Sequence, residues 1–257
     1  MTQASAVEEI SPRAFRLRHA RKDKAVIAFC EAQGIDYGWV PEGRRFADLR
    51  LLAMDMDSTL ITIECIDELG DLAGKKAAIA AITAQAMRGE LDFPASLRRR
   101  VGALAGLPES ALAQVYEQRL RLTPGAQALV DSCKKHGVKL LLVSGGFSFF
   151  TERLKEKLGL DYTLSNRLEI ANGRLTGGVL GDIADAEAKA RKFRSVCLEL
   201  KLQKHETVAI GDGANDLRMM AEAGLSVAFH AKPVVRAQAD CVLNHSGLDA
   251  VLNLLEP

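Results

Sequence analysis

The chain is short of cysteine, of excess charge and of long apolar runs, and each shortage removes a class of protein. Five cysteines, Cys30, Cys65, Cys133, Cys197 and Cys241, are scattered through 257 residues without a C-x-x-C pair. That spacing argues against a disulfide framework and against a zinc site, and it fits a reducing cytoplasm. Lysine and arginine number 34 against 33 aspartate and glutamate, a net charge of +1. A balance so near zero argues against a nucleic-acid partner. No apolar run approaches the roughly 18 residues that span a bilayer, so no membrane partner is expected. Met1 to Ile10 carries Glu8 and Glu9 and no apolar h-region, unlike a secretory signal. The five histidines show no ligand spacing. Internal repeats and low-complexity segments are missing as well.

What remains is 48% hydrophobic and 26% charged, an ordinary globular composition. The length suits one large domain or a core with a smaller attachment. Apolar runs at Leu51–Met54, Lys139–Val143, Thr207–Ile210 and Ser226–Phe229 read as buried parallel strands, the last of these closing the core. A helix from Ala126 to His136, opened by Thr123-Pro124-Gly125 and closed by Gly137, alternates with them, as does one from about Ala186 to Leu200. The pattern is that of an α/β protein, a parallel sheet flanked by helices. Asn172-Gly173 marks a hairpin. Between the first two strands, Cys65 to about Tyr116 reads as helical, with Pro94 at a tolerated first-turn position, and would cap the sheet as a lid. Residues 1–46 read as an appendage without chemistry. It holds a strand at Phe15–His19, a helix at Lys22–Gln33 stopped by Gly34, and basic residues Arg13, Arg16, Arg18, Arg21, Lys22 and Lys24 taken as solvated surface charge. The expected division is 1–46 appendage, 47–64 and 120–257 core, and 65–119 cap.

Three of the strands end in small or acidic residues: Asp55 with Asp57, Ser144-Gly145-Gly146 read as a turn, and Asp212 to Asp216. In a parallel sheet such ends lie side by side and bind ligands. Period-two alternation lets Asp55 and Asp57 point into one crevice. Two carboxylates so close call for a cation between them or a proton on one. At Ser144-Gly145-Gly146 a hydroxyl and glycine N–H groups can approach a phosphate, beside the amino end of the next helix. Asp212 would complete an oxygen set with Asp55 and the carbonyl of Asp57, which suits Mg²⁺ better than zinc. Taken singly, Asp-x-Asp also suits a strand leaving into a turn or cap, and Ser-Gly a plain turn.

Four strings, in order, resemble the motifs of the haloacid dehalogenase superfamily. They are Asp55-Met56-Asp57-Ser58-Thr59, Ser144-Gly145-Gly146-Phe147, Lys189 within Asp185–Ala190, and Gly211-Asp212-Gly213-Ala214-Asn215-Asp216. The fold implied is the Rossmann-like core of that superfamily, with a small helical cap inserted after the first motif. Ile63–Glu68, Leu91–Val101, Leu158–Tyr162 and His230–Pro233 resemble, within it, the phosphoserine phosphatases, and the likeness runs from about residue 50 to the end. It implies Mg²⁺-dependent hydrolysis of O-phospho-L-serine through an aspartyl-phosphate, the last step of serine biosynthesis. The nucleophile would be Asp55 and the acid and base Asp57, with Lys189 beside them. Asp55, Asp57 and Asp212 would hold the metal and Asp216 would orient Lys189 or a metal-bound water. Ser144, Gly145, Gly146, Lys189 and Asn215 would meet the phosphate, Glu64 the substrate ammonium and Arg100 its carboxylate, while Met87 and Phe93 would exclude water. The partner implied is a small molecule, and a homodimer is compatible with it. Two alternatives stay open: a phosphatase or phosphotransferase for another small ester such as phosphohomoserine, and a non-catalytic module that binds a phospho-ligand.

Overall fold

The computed structural model describes residues 4–256; residues 1–3 of the expected appendage and residue 257 of the expected core lie outside the described residues. A hairpin of β1 (Ala6–Ser11) and β2 (Ala14–Arg18) comes first. Helix α1 (Lys24–Gln33) starts where the Asp23 carboxylate accepts the Ala25 N–H (2.8 Å) and stops at Gly34, φ +65°. Only glycine takes that left-handed conformation without a Cβ penalty. The two-residue strand β3 (Tyr37–Gly38) leads to β4 (Leu51–Asp55), every residue of which is buried. Four helices follow: α2 (Cys65–Leu72), α3 (Lys76–Met87), α4 (Phe93–Gly102) and α5 (Ser110–Gln114). Helix α4 opens with Asp92 accepting the Ala95 N–H (2.7 Å) and with Pro94 in the first turn, where no N–H is required. Helices and strands then alternate through α6 (Ala126–Lys135), β5 (Lys139–Phe147), α7 (Ser148–Leu158), β6 (Tyr162–Ala171) and β7 (Arg174–Leu180). The chain continues with α8 (Ala186–Glu199), β8 (Thr207–Gly211), α9 (Leu217–Glu222), β9 (Leu225–Phe229), α10 (Pro233–Arg236) and β10 (Cys241–Leu243).

Eight strands form one sheet in the order β3-β10-β9-β8-β4-β5-β6-β7, parallel from β10 to β6 and antiparallel at both edges. From β4 the chain builds outward on one side through β5, then returns to the other side at β8. Such a switch point opens a crevice at the carboxyl ends of the strands. Leu52 and Met54 join the larger core, which includes Leu69, Ile79, Leu97 and Leu112 of the helical insert, so burial fuses cap and sheet. Leu51 and Ala53 point the other way, toward Phe193 of α8 and Met219 of α9. The Asn172-Gly173 hairpin forms, both residues at positive φ, and its tip docks on the cap. There Gly106 N–H donates to the Leu175 carbonyl (2.8 Å) and Glu109 N–H to the Gly173 carbonyl (2.9 Å).

The structure corrects three expectations. Ser144–Phe147 is not a turn; β5 runs through it, with an irregularity between Val143 and Phe147, and α7 begins directly at Ser148. Strand β9 does not close the core, because β10 lies outside it and β3 outside β10. Three apolar residues between Asp240 and Asn244 were too short a signal. Finally, the segment expected as an appendage contributes one short strand to the sheet, Tyr37 paired to Val242 and Gly38 to Cys241, while its β1–β2 hairpin forms a separate two-stranded sheet. Its basic residues are not all solvated. Arg16 donates to the carbonyls of Asn253 (3.3 Å) and Leu254 (3.2 Å), and Arg18 pairs with Glu256. Among the described residues no helix is long and apolar enough to cross a membrane.

Candidate active site

Asp55 continues the parity of Leu51 and Ala53, so it leaves β4 facing α8, and there it meets Lys189. The register of α8 is set by Asp185, whose carboxylate accepts the Ala188 N–H (2.8 Å). Lys189 is completely buried, and its ammonium donates both to Asp55 Oδ1 and to Asp216 Oδ1 (2.7 Å). Asp216, also completely buried, closes the tight turn after β8, its Oδ2 accepting the Gly213 N–H (3.1 Å). Its carboxyl carbon lies 2.5 Å from where a Cβ on Gly211 would stand, so no larger residue fits there without a shift. Asp55, Asp212 and Asp216 bring one carboxylate oxygen each within 4.8 Å of one another. Asp216 is thus in the carboxylate cluster itself as well as behind Lys189, and the Asp57 side chain is outside it.

Past Asp55 the chain makes one wide turn, Met56–Leu60, closed by Ile61 N–H to the Met56 carbonyl (3.0 Å), with Ser58 at φ +56°. A serine in that region is strained and is held by its surroundings. Ser58 Oγ donates to Glu64 (2.8 Å), while Asp57 accepts the Cys65 N–H (2.9 Å) and the Ser144 hydroxyl (3.3 Å). Gly146 N–H in turn donates to Ser144 Oγ (2.8 Å). A Cβ at Gly146 would stand 2.7 Å from Asp57 Oδ2, and one at Gly145 2.8 Å from Phe93 Cζ. The head of α4 therefore rests on the β5 end, and the two glycines allow that approach.

Burial sets the electrostatics. It raises Asp55 well above the usual carboxylate range; Lys189 opposes this, and Asp216, Asp57 and Asp212 add to it. Burial and then the charge of Glu64 push Asp57 up to about 7, while burial and Asp216 push Asp212 up to about 6. Burial alone would lower the Lys189 amine, but the Asp216 and Asp55 carboxylates outweigh it and hold it above its ordinary value. One ammonium against three clustered carboxylates leaves negative charge uncompensated, and every donor in the cluster is oxygen. That set fits a hard divalent cation.

The other candidate residues are placed unevenly. Asn215 is half-buried beside Gly213, and Glu64 is exposed. Arg100 has its Nε buried without a hydrogen-bond partner; burial lowers its pKa, and Asp67, Glu64 and Asp57 work against that. Met87, at the end of α3, is 72% exposed. Sequence reasoning passed over Asn166, fully buried next to Gly145, for which a single asparagine inside a strand was the only signal. Together the cluster offers a nucleophile, a carboxyl that keeps a proton near neutrality, and cationic and hydroxyl groups around them.

Residues 52–221 match the family of haloacid dehalogenase-like hydrolases. A phosphoserine phosphatase of Polaromonas sp. is 53% identical over 217 residues, 82% of this chain and 92% of that one. The crystal structure of a probable phosphoserine phosphatase from Vibrio cholerae, unliganded, superposes with a TM-score of 0.81 at 42% identity, over 94% of this chain and 75% of that one. A substrate-bound phosphoserine phosphatase gives a TM-score of 0.76 at 38% identity, over 81% of this chain and 99% of that one. This chain belongs to the haloacid dehalogenase-like hydrolases and groups there with the phosphoserine phosphatases.

Proposed function

We propose that this chain hydrolyses O-phospho-L-serine to L-serine and phosphate, the closing step of serine synthesis, through an aspartyl-phosphate on Asp55. The observation that carries the reading is the convergence of Asp55, Asp57 and Ser144 at the neighbouring ends of β4 and β5 with Lys189 of α8, in a chain 53% identical to a phosphoserine phosphatase.

Asp55 attacks phosphorus in line, and the bond from phosphorus to the serine oxygen breaks. Asp57 gives its proton to the departing oxygen, then takes one from the water that hydrolyses the acyl phosphate. Its rise to about 7 keeps that proton available near neutrality. Lys189 and the Ser144 hydroxyl face the phosphoryl oxygens, with the backbone of Gly145 and Gly146 and the Asn215 amide as further donors. Asp55, Asp212 and the carbonyl of Asp57 would hold Mg²⁺, with Asp216 beside them steadying Lys189. When bound, the ion supplies charge neutralisation for the phosphoryl group. Glu64 takes the substrate ammonium, and Arg100, whose Nε lacks a protein partner, takes the carboxylate. Residues 65–119 act as the lid, with Phe93 over Gly145; in this reading Met87 joins the wall only when the lid rearranges around substrate.

Five free thiols suit a cytoplasmic location. A homodimer is compatible with the reading, and size-exclusion chromatography measures it. The test is phosphate release from a panel of small phosphate esters with and without Mg²⁺. Phosphoserine is expected to lead the panel and to require the ion. Preference for phosphohomoserine, or transfer to an added acceptor, would replace the substrate assignment, and no release from any ester would leave only a binding module.

A further inference from the structure

Across the irregularity in β5, Val143 pairs with Leu164 and Phe147 with Asn166, so Ser144, Gly145 and Gly146 stand opposite Ser165 alone. Surplus residues at a bulge lose their ladder partners, and a buried carbonyl left unpaired is costly. Asn166 supplies the partner from its side chain. It is completely buried, its Nδ2 donates to the Gly145 carbonyl (2.8 Å), and its Oδ1 accepts the Ala184 N–H (2.8 Å). These contacts fix the amide orientation, because exchanging O and N would set acceptor against acceptor at Gly145 and donor against donor at Ala184. Carbonyl and N–H of one planar peptide point in opposite directions. Holding the Gly145 carbonyl therefore aims the Gly146 N–H, which donates to Ser144 Oγ (2.8 Å). The Ser144 hydroxyl, held by that N–H, donates in turn to Asp57 Oδ2 (3.3 Å), so peptide, hydroxyl and acid form one chain of hydrogen bonds.

We propose that Asn166 is a positioning residue: by holding the peptide between Gly145 and Gly146 it aims the Ser144 hydroxyl at the reacting phosphoryl group. The inference rests on the phosphatase reading above. Asparagine is the residue the geometry demands, since aspartate cannot donate to a carbonyl and leucine would leave both backbone groups unpaired.

The test is a double-mutant cycle on the whole chain, with phosphate release from phosphoserine in Mg²⁺ as the readout. Asn166→Asp keeps the acceptor for Ala184 and removes the donor to Gly145. It is expected to lower kcat/KM about 10- to 100-fold when Ser144 is present, and less than about threefold in the Ser144→Ala background. A residue that merely stabilised the fold would cost the same in both backgrounds. Equal losses, or no loss in the single variant, overturn the inference alone. A wild-type chain that releases no phosphate removes the phosphatase reading and the inference together. Should Asn166→Asp fail to fold, Asn166→Ser removes both bonds without adding charge and is read by the same cycle.

Discussion

Among the described residues Lys189, Arg18, Arg119 and Arg194 each pair with two carboxylates, and the first two make an instructive contrast. Lys189 sits between Asp55 and Asp216 with side chains 0%, 7% and 0% exposed, and Arg18 sits between Glu8 and Glu256 with side chains 25%, 46% and 22% exposed. The arrangement is the same and the outcome opposite. At the surface, the Arg18 hydrogen bond pulls Glu256 below the usual carboxylate range. In the interior, burial overrides the cation and drives Asp55 above it. Water screens the first triad, so it clamps the hairpin to the chain's far end at little gain. No water screens the second, so its charge imbalance is available for chemistry and for a metal ion.

The comparison is broken most directly at the nucleophile. Asp55→Asn is expected to lower phosphate release about 10⁴-fold or more while circular dichroism stays unchanged. Turnover within tenfold of wild type would take Asp55 out of the chemistry. Next comes Lys189→Met, which strands two buried carboxylates and is expected to cost about 3–5 kcal/mol in urea unfolding without metal. Arg18→Met should shift the urea midpoint far less, and comparable shifts would erase the distinction between the triads. Arg100→Ala tests the rim of the same site. Its KM for phosphoserine should rise about 10- to 100-fold while KM for p-nitrophenyl phosphate, which has no carboxylate, holds. A parallel rise for both would dismiss Arg100 from recognition.

The smallest effect expected is on pH dependence, and its sign follows from burial. Asp57 and Asp212 titrate in the folded state at about 7 and about 6, above the ordinary 3.8. The folded protein then keeps protons that the unfolded chain has released, so metal-free stability is full below the ordinary value and falls as pH rises through the folded values. Glu256 behaves oppositely: its contribution is present above its ordinary value and disappears as pH falls through its depressed one. Metal-free protein should therefore melt higher near pH 5 than near pH 8, with Mg²⁺ recovering the difference at pH 8. A melting temperature flat across that interval would show that the interior carboxylates are not proton-linked to folding.

Much of the site is legible because its signals are local. Asp55 and Asp57 end a run of apolar residues, and Gly213, Asp212 and Asp216 end another, so strand ends and acids mark each other within ten residues. The exposure of Met87 is not legible in the sequence, because an apolar residue near a helix end carries no direction and its surroundings depend on how α3 meets its neighbours. Arg16 was misjudged because its acceptors are carbonyls of Asn253 and Leu254, with no side-chain identity to read. Asn166 was missed because nothing local says that a bulge will need its amide.

Residue order by itself determined the alternation of strand and helix, the face on which Asp55 emerges and the residue types available to a phosphoryl group. Those follow from periodicities of two and 3.6, which operate between neighbours in sequence. Only the tertiary structure decided that Lys189 reaches Asp55 across 134 positions, that Asp216 joins the same cluster, and that Tyr37–Gly38 pairs with β10 at the sheet edge. Burial made those choices, because the exposure of a charge depends on everything packed around it, and packing gathers residues the chain keeps far apart.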